Sequence, residues 1–145
     1  MNYRFAYPTV EDRDEEGFFL VLFPDVPEAG TSARTASASR RAAADSLIAA
    51  LGGYIRLRRD IPRPSRPRRG QPVVALPPLV AAKLALYQAM RESGVGNAGL
   101  ARRLKVSQAA LCRLLDLDRR SHISEVEAAL SALGKRLVID VRDAA

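Results

Sequence analysis

The apolar residues of this chain change their spacing once, near Ser37, and that change sets the fold class. Before it, Tyr3, Phe5 and Tyr7 alternate with Arg4 and Ala6, the period of two expected of a half-buried strand that Pro8 ends. After it, Ala42, Ala43, Leu47, Leu51 and Ile55 recur at three- and four-residue spacing, the face of an amphipathic helix. A chain that carries both periods in 145 residues is an α+β protein with its strands first.

Between these segments, Glu11 to Gly17 reads as a polar turn. Phe18 to Phe23 is apolar on both faces, which places it centrally in its sheet, and Gly30 to Thr35 supplies a third, short strand. The helix is capped by Ser37 or Ser39 and runs until shortly before Pro62. Gly52-Gly53 weakens it by roughly 1 kcal/mol per glycine, so a kink or a close packing contact is expected there. Arg56, Arg58 and Arg59 suit the negative end of the helix dipole as well as they suit contact with a nucleic acid. The stretch IPRPSRPRRG, Ile61 to Gly70, has no periodicity and is extended, either a solvated connection or a phosphate-contacting arm. Val73 to Leu76 then returns to the sheet. The order β-β-β-α-β makes residues 1–76 one layered unit.

Residues 77–145 read as helical. Pro77-Pro78 opens a helix whose stripe is Leu79, Ala82, Leu86 and Met90, with Lys83 and Arg91 off it, and Gly94 and Gly96 end it. The segment NAGLARRLKVSQAALCRLL, Asn97 to Leu115, meets the demands of a helix-turn-helix. Ala101 sits at the close contact, Leu104 and Val106 straddle the turn, and Leu111 and Leu114 face inward. The turn position usually held by glycine is Lys105, which carries a left-handed backbone cost. Ser107, Gln108, Ala109, Cys112 and Arg113 remain on the outer face of the second helix, the face that enters a DNA major groove. Gln108 suits adenine and Arg113 guanine or phosphate; Arg102, Arg103 and Lys105 suit the DNA backbone, and Asn97 a phosphate at the first helix N-terminus. A plain helical hairpin with solvated arginines is the alternative. Ile123 to Leu133 makes a last helix, capped by Ser121 or Ser124. Leu137 to Val141 is then a short strand that pairs with its copy in a second subunit, giving a homodimer or higher even oligomer, or packs back on its own helices.

Net charge is +7 but uneven. Residues 1–35 hold three basic and seven acidic side chains, a net of −4, whereas residues 36–71 carry +7 and residues 72–145 carry +4. This split points to two modules with different partners, one of them anionic. One cysteine, Cys112, and one histidine, His122, argue against a disulfide framework, a metal site and nucleophilic catalysis. Glu11 to Glu16 crowd one turn without converging on a cation, and Asp25 and Glu28 lack a third acid. Neither catalytic nor metal-binding residues are expected, and no cofactor is implied. The apolar runs are short of the ~20 residues that span a bilayer and the N-terminus has no apolar leader, so a cytoplasmic protein without membrane contact is expected.

The early strand with Tyr7-Pro8, the acidic turn into Gly17-Phe18-Phe19, the run FPDVPEAGTSA (Phe23 to Ala33), the helix with Ala43, Leu47, Leu51 and Tyr54, and Ile61-Pro62-Arg63-Pro64 together resemble the N-terminal domain of HicB-type antitoxins. Val26 and Glu28 depart from the family's F-P-D-L-P-G pattern, with Gly30 available for the turn. Ala38, Arg40 and Arg41 replace acidic residues usual early in the family's helix. The second unit is similar to the helix-turn-helix tails of some HicB proteins. The resemblance implies a degenerate ribonuclease-H-like domain without nuclease carboxylates, which binds and neutralises a HicA-type toxin, a small basic mRNA-cleaving protein. It also implies repression of the protein's own operon through operator DNA. By position, Tyr7, Asp25 and the Phe18 to Phe23 strand, with Phe19 in it, are candidates for toxin contact. Two other readings stay open at this point: a stand-alone transcriptional regulator with a ligand-sensing or assembly head, and a Mg²⁺-dependent nuclease that needs Asp25.

Overall fold

A computed structural model describes residues 4–143; Tyr3 lies outside the described residues. The chain is an α+β protein with ten elements among the described residues. Strands β1 (Ala6–Pro8), β2 (Val10–Arg13), β3 (Phe19–Leu22) and β4 (Gly30–Ala33) precede helix α1 (Ala36–Arg56) and strand β5 (Val73–Ala75). Helices α2 (Pro78–Ser93), α3 (Asn97–Leu104), α4 (Gln108–Leu115) and α5 (Ile123–Ala132) follow.

The first strand breaks at Thr9, and the break divides the expected single sheet into two. β1 pairs antiparallel with β5, with Tyr7 opposite Val74. β2 pairs with β3 and β3 with β4, also antiparallel, so β3 is central as its two apolar faces require. Thr9 is buried at the junction, its N–H bonded to the Pro72 carbonyl at 2.9 Å. Glu11 to Arg13 therefore belongs to a strand rather than a turn. All four β2 residues are exposed, so no apolar period marks them. The true turn is Asp14 to Phe18, where the Asp14 carboxylate accepts the N–H groups of Glu16 and Phe18 and Gly17 takes φ +84°.

Thr35, rather than Ser37 or Ser39, caps α1, its Oγ1 accepting the Ala38 N–H at 3.2 Å. Ser39 is buried and its hydroxyl donates to the Ala36 carbonyl. The helix runs unbroken through Gly52-Gly53. It lays Ser39, Ala43, Leu47, Leu51 and Tyr54 on the three-stranded sheet, over Val21, Phe23 and Val26. Gly30 starts β4 instead of making a turn. Ser46 of α1 bonds both its N–H and its carbonyl at 3.0 Å, and a Cβ there would meet Leu22 at 3.2 Å. Tyr7 is fully buried, and its hydroxyl donates to the Pro62 carbonyl at 2.8 Å.

Burial, and secondarily the nearby charge of Asp25, pushes the Tyr7 phenol well above its ordinary value. The group is protonated in the fold at a pH where the unfolded chain has begun to ionise. Its stabilisation is thus complete below about pH 10 and is lost as pH rises beyond it. A Tyr7→Phe chain is expected to lose about 1 kcal/mol at pH 7 with the hydrogen bond. Its stability should fall less between pH 10 and 12 than that of the parent. Urea unfolding at pH 7, 10 and 11.5 reads both effects; equal slopes above pH 10 would contradict them.

α2 is buried on nearly every side, through Val80, Ala82, Leu84, Leu86, Tyr87, Ala89 and Met90. It packs against α4 and α5, while α3 packs against α4 and α5. Buried apolar side chains from Tyr7 to Leu130 form one continuous cluster. His122, not a serine, stands at the N-cap of α5, with no side-chain cap bond. The strand expected at Leu137 to Val141 does not form in the single chain. Leu137 packs on the core, while Val138, Ile139 and Val141 are 76%, 68% and 89% exposed. A strand needs a ladder partner, and the described residues present none to that segment.

Candidate functional site

Two short helices and the turn between them form the first candidate. Gly94, at φ +67°, ends α2, and α3 begins three residues later at Asn97. Leu100 and Ala101 of α3 and Leu111, Leu114 and Leu115 of α4 are buried where the two helices meet, α3 packing also on α5 and α4 also on α2. Lys105 takes the left-handed conformation, φ 57° and ψ 41°. Its N–H reaches the Arg102 carbonyl and the Val106 N–H the Ala101 carbonyl, the double bond of a Schellman turn. The turn is therefore unadjusted, and lysine sits where glycine fits best. Val106 is 44% exposed, so Leu104 alone holds the inner side of the turn. Lys105→Gly is expected to raise stability by up to about 1 kcal/mol. The readout is the urea midpoint, and an unchanged or lower midpoint would count against it.

The buried residues of α4 leave Gln108, Ala109, Cys112 and Arg113 exposed on its outer side. Ser107 caps α4, its Oγ accepting the Ala110 N–H at 3.0 Å. Arg102 and Lys105 are exposed, and Arg103 reaches the Ala132 carbonyl at 3.4 Å. Asn97 directs its amide at Cys112 Sγ, 3.7 Å away. Of the eight expected residues, Asn97 is half-buried and Arg102, Arg103, Lys105, Ser107, Gln108, Ala109 and Arg113 are exposed, with Ser107 occupied as a cap and Arg103 turned to the end of α5.

The residues singled out in the first half are less alike. Tyr7 is a core residue, and its burial removes it from any surface the folded chain offers. Asp25 is half-buried, and its Oδ2 accepts both the N–H and the hydroxyl of Ser65, at 2.8 and 2.9 Å. It pins the Pro/Arg stretch, whose end is held by the Gln71 amide on the Thr9 carbonyl. Phe19 is half-buried on the central strand under the Arg13 guanidinium, 4.3 Å from its ring centre. β2 and its turn present the acidic run Glu11 to Glu16 entirely to solvent.

Three features went unread in the sequence. Lys83 is fully buried, and its Nζ donates to the carbonyls of Asp116 and Arg119, each at 2.7 Å. Burial holds its pKa below the ordinary lysine value. The available signal is that α2 is apolar all round, so a lysine within it must find buried acceptors. Glu28, the departure from the family pattern, accepts the Tyr54 hydroxyl at 2.8 Å and pairs with Arg59, whose guanidinium lies over the Tyr54 ring. Finally, α2 grips the segment after α1. The Tyr87 hydroxyl donates to the Arg59 carbonyl, and Arg91 bonds the Asp60 carboxylate and the Arg58 carbonyl. Among the described residues, no group of three His, Cys, Asp or Glu is placed to hold a metal ion. No described helix is long and apolar enough to cross a membrane.

These observations define a class: an α+β protein in which a strand-and-helix layer with an acidic hairpin precedes a helix–turn–helix pair. Residues 6–85 match a family model described as the HicB-like antitoxin of bacterial toxin–antitoxin systems. The chain is 36% identical to Antitoxin HicB 2 of Photorhabdus laumondii, over 94% of this chain and 96% of that protein. It is 35% identical to Antitoxin HicB of Pseudomonas fluorescens, over 93% of each chain. The figure for Antitoxin HicB of Escherichia coli K12 is 34%, over 90% of this chain and 95% of that one. The chain belongs to the HicB-like antitoxin family.

Proposed function

We propose that this protein neutralises a HicA-type mRNA-cleaving toxin through residues 1–76 and represses its own operon through residues 77–145. It is not an enzyme in this reading. The observation that carries it is the likeness, along almost the whole chain and in both halves, to proteins named HicB antitoxins. For the toxin, the solvent-facing acidic hairpin Glu11 to Glu16 and the neighbouring Phe19 supply charge and apolar area of the kind a small basic protein would meet. For operator DNA, the outward side of α4 offers Gln108 and Arg113, which have no side-chain partner among the described residues, and Arg102 and Lys105 are exposed in the preceding helix and turn. The exposed Val138 and Ile139 of the Leu137 to Val141 segment support a homodimer, because pairing with a second copy would satisfy the segment's backbone and cover them.

The test is purification of the tagged chain from cells that carry its natural operon, followed by mass spectrometry. Near-equimolar recovery of a small basic protein encoded beside it is expected. Recovery of the chain alone, or with promoter DNA only, would favour a stand-alone regulator.

A further inference from the structure

Among the described residues, Arg56 and Arg58, at the C-terminal end of α1, are exposed and have no salt-bridge partner, unlike Arg59, which Glu28 engages. They form one wall of a cleft of about 410 Å³ whose other wall holds Asn97 and Cys112. Asp116 and Asp118 also border it. Asp116 is matched by Arg119 at 3.7 Å, which leaves one unmatched acid against two unmatched guanidinium groups. The cleft is not a loose gap. Arg91 and Tyr87 of α2 bond the backbone of residues 58 and 59 and the carboxylate of Asp60, fixing the arginines relative to α3 and α4.

The position of this wall matters because of what the opposite wall is. Asn97 is the first residue of α3, and Cys112 lies on the outer side of α4 next to Arg113. If α4 enters a major groove, the first helix of such a pair crosses the DNA backbone with its N-terminus toward a phosphate. That phosphate strand then passes the mouth of the cleft, between Asn97 and the two arginines. We propose that Arg56 and Arg58 are a second, sequence-independent DNA contact, which clamps the phosphate backbone against the N-terminus of α3 from the strand-and-helix half of the chain. The inference rests on the DNA-binding reading above and extends it to residues outside the helix–turn–helix pair. It also accounts for two unpaired arginines that helix-dipole stabilisation alone leaves without a partner.

The experiment measures binding of the full chain to two duplexes, one covering the promoter of its own operon and one unrelated, from 50 to 300 mM salt. The neutral variant combines Arg56→Gln with Arg58→Asn, since asparagine tolerates the left-handed backbone at residue 58 (φ 55°). A charge-keeping variant combines Arg56→Lys with Arg58→Lys. With each phosphate contact contributing about 0.9 to the log–log salt slope, the neutral variant should bind with a slope shallower by about 1.8. Its affinity near 0.1 M salt should fall about tenfold to a hundredfold on both duplexes, with the preference between them unchanged. The lysine variant should stay near the parent. An unchanged slope, or tighter binding on neutralisation, while Gln108→Ala with Arg113→Ala still weakens promoter binding, would overturn the clamp and leave the helix–turn–helix reading standing. Failure of the parent chain to bind either duplex would overturn both.

Discussion

On the proposed DNA-binding reading, replacing Gln108 and Arg113 together with alanine is expected to lower affinity for the chain's own promoter duplex by about thirtyfold to twenty-thousandfold, since a good base contact is worth about 1–3 kcal/mol. Both side chains leave the outer side of α4, one at its first residue and one in its last turn, and neither is engaged by another of the described residues. On an unrelated duplex the loss should be small, because only the charge of Arg113 is removed. The ratio of the two affinities is therefore the informative quantity. The substitutions lie away from Leu111, Leu114 and Leu115, so the unfolding midpoint should stay within about 0.5 kcal/mol of the parent. A double variant that kept the parent's preference for its promoter would place the reading surface elsewhere.

Removing Lys83 should have the largest effect on stability. Its ammonium group satisfies two carbonyls of the segment between α4 and α5, from a helix otherwise packed with apolar side chains. Hydrogen bonds from a charged donor contribute about 1.5–3 kcal/mol each, offset in part by the cost of burying the charge. Lys83→Ala adds a cavity where the aliphatic stem lay, and a loss of about 3 kcal/mol is expected. Lys83→Met keeps the stem and should lose about 1–2 kcal/mol. The depressed pKa gives a second signature. The folded chain releases this proton before the unfolded chain does, so this group adds stability as pH rises from its folded pKa toward 10.5. That alkaline gain opposes the Tyr7 loss above pH 10 and should vanish in Lys83→Met. Urea unfolding from pH 7 to 11 measures both; a methionine variant as stable as the parent at every pH would refute the clamp role of Lys83.

What the sequence made legible follows from periodicity. β3, the buried face of α1 and the α3–α4 pair each carry apolar residues in the pattern their geometry requires, and they stand where that pattern puts them; β4, with the sequence GTSA, has no such repeat. β2 was hidden because both of its faces are wet, leaving no alternation to read. The structural roles of Asp25 and Tyr7 were hidden for another reason. Their partners, Ser65 and Pro62, lie 40 and 55 residues away, and no local pattern encodes such a pairing. The spacing of α2 marks one apolar stripe with Lys83 beside it, whereas neighbours cover the helix nearly all round. The C-terminal segment has the composition of a strand, but strand formation depends on a partner that one chain does not contain.

The central claim, that this chain silences a toxin by binding it, is tested most directly by adding the purified protein to the purified HicA-type protein encoded in the same operon and following cleavage of an mRNA. Cleavage should fall in proportion to added protein and stop near stoichiometric ratio, with both chains eluting as one complex. Cleavage at full rate with the chain in excess would contradict the account.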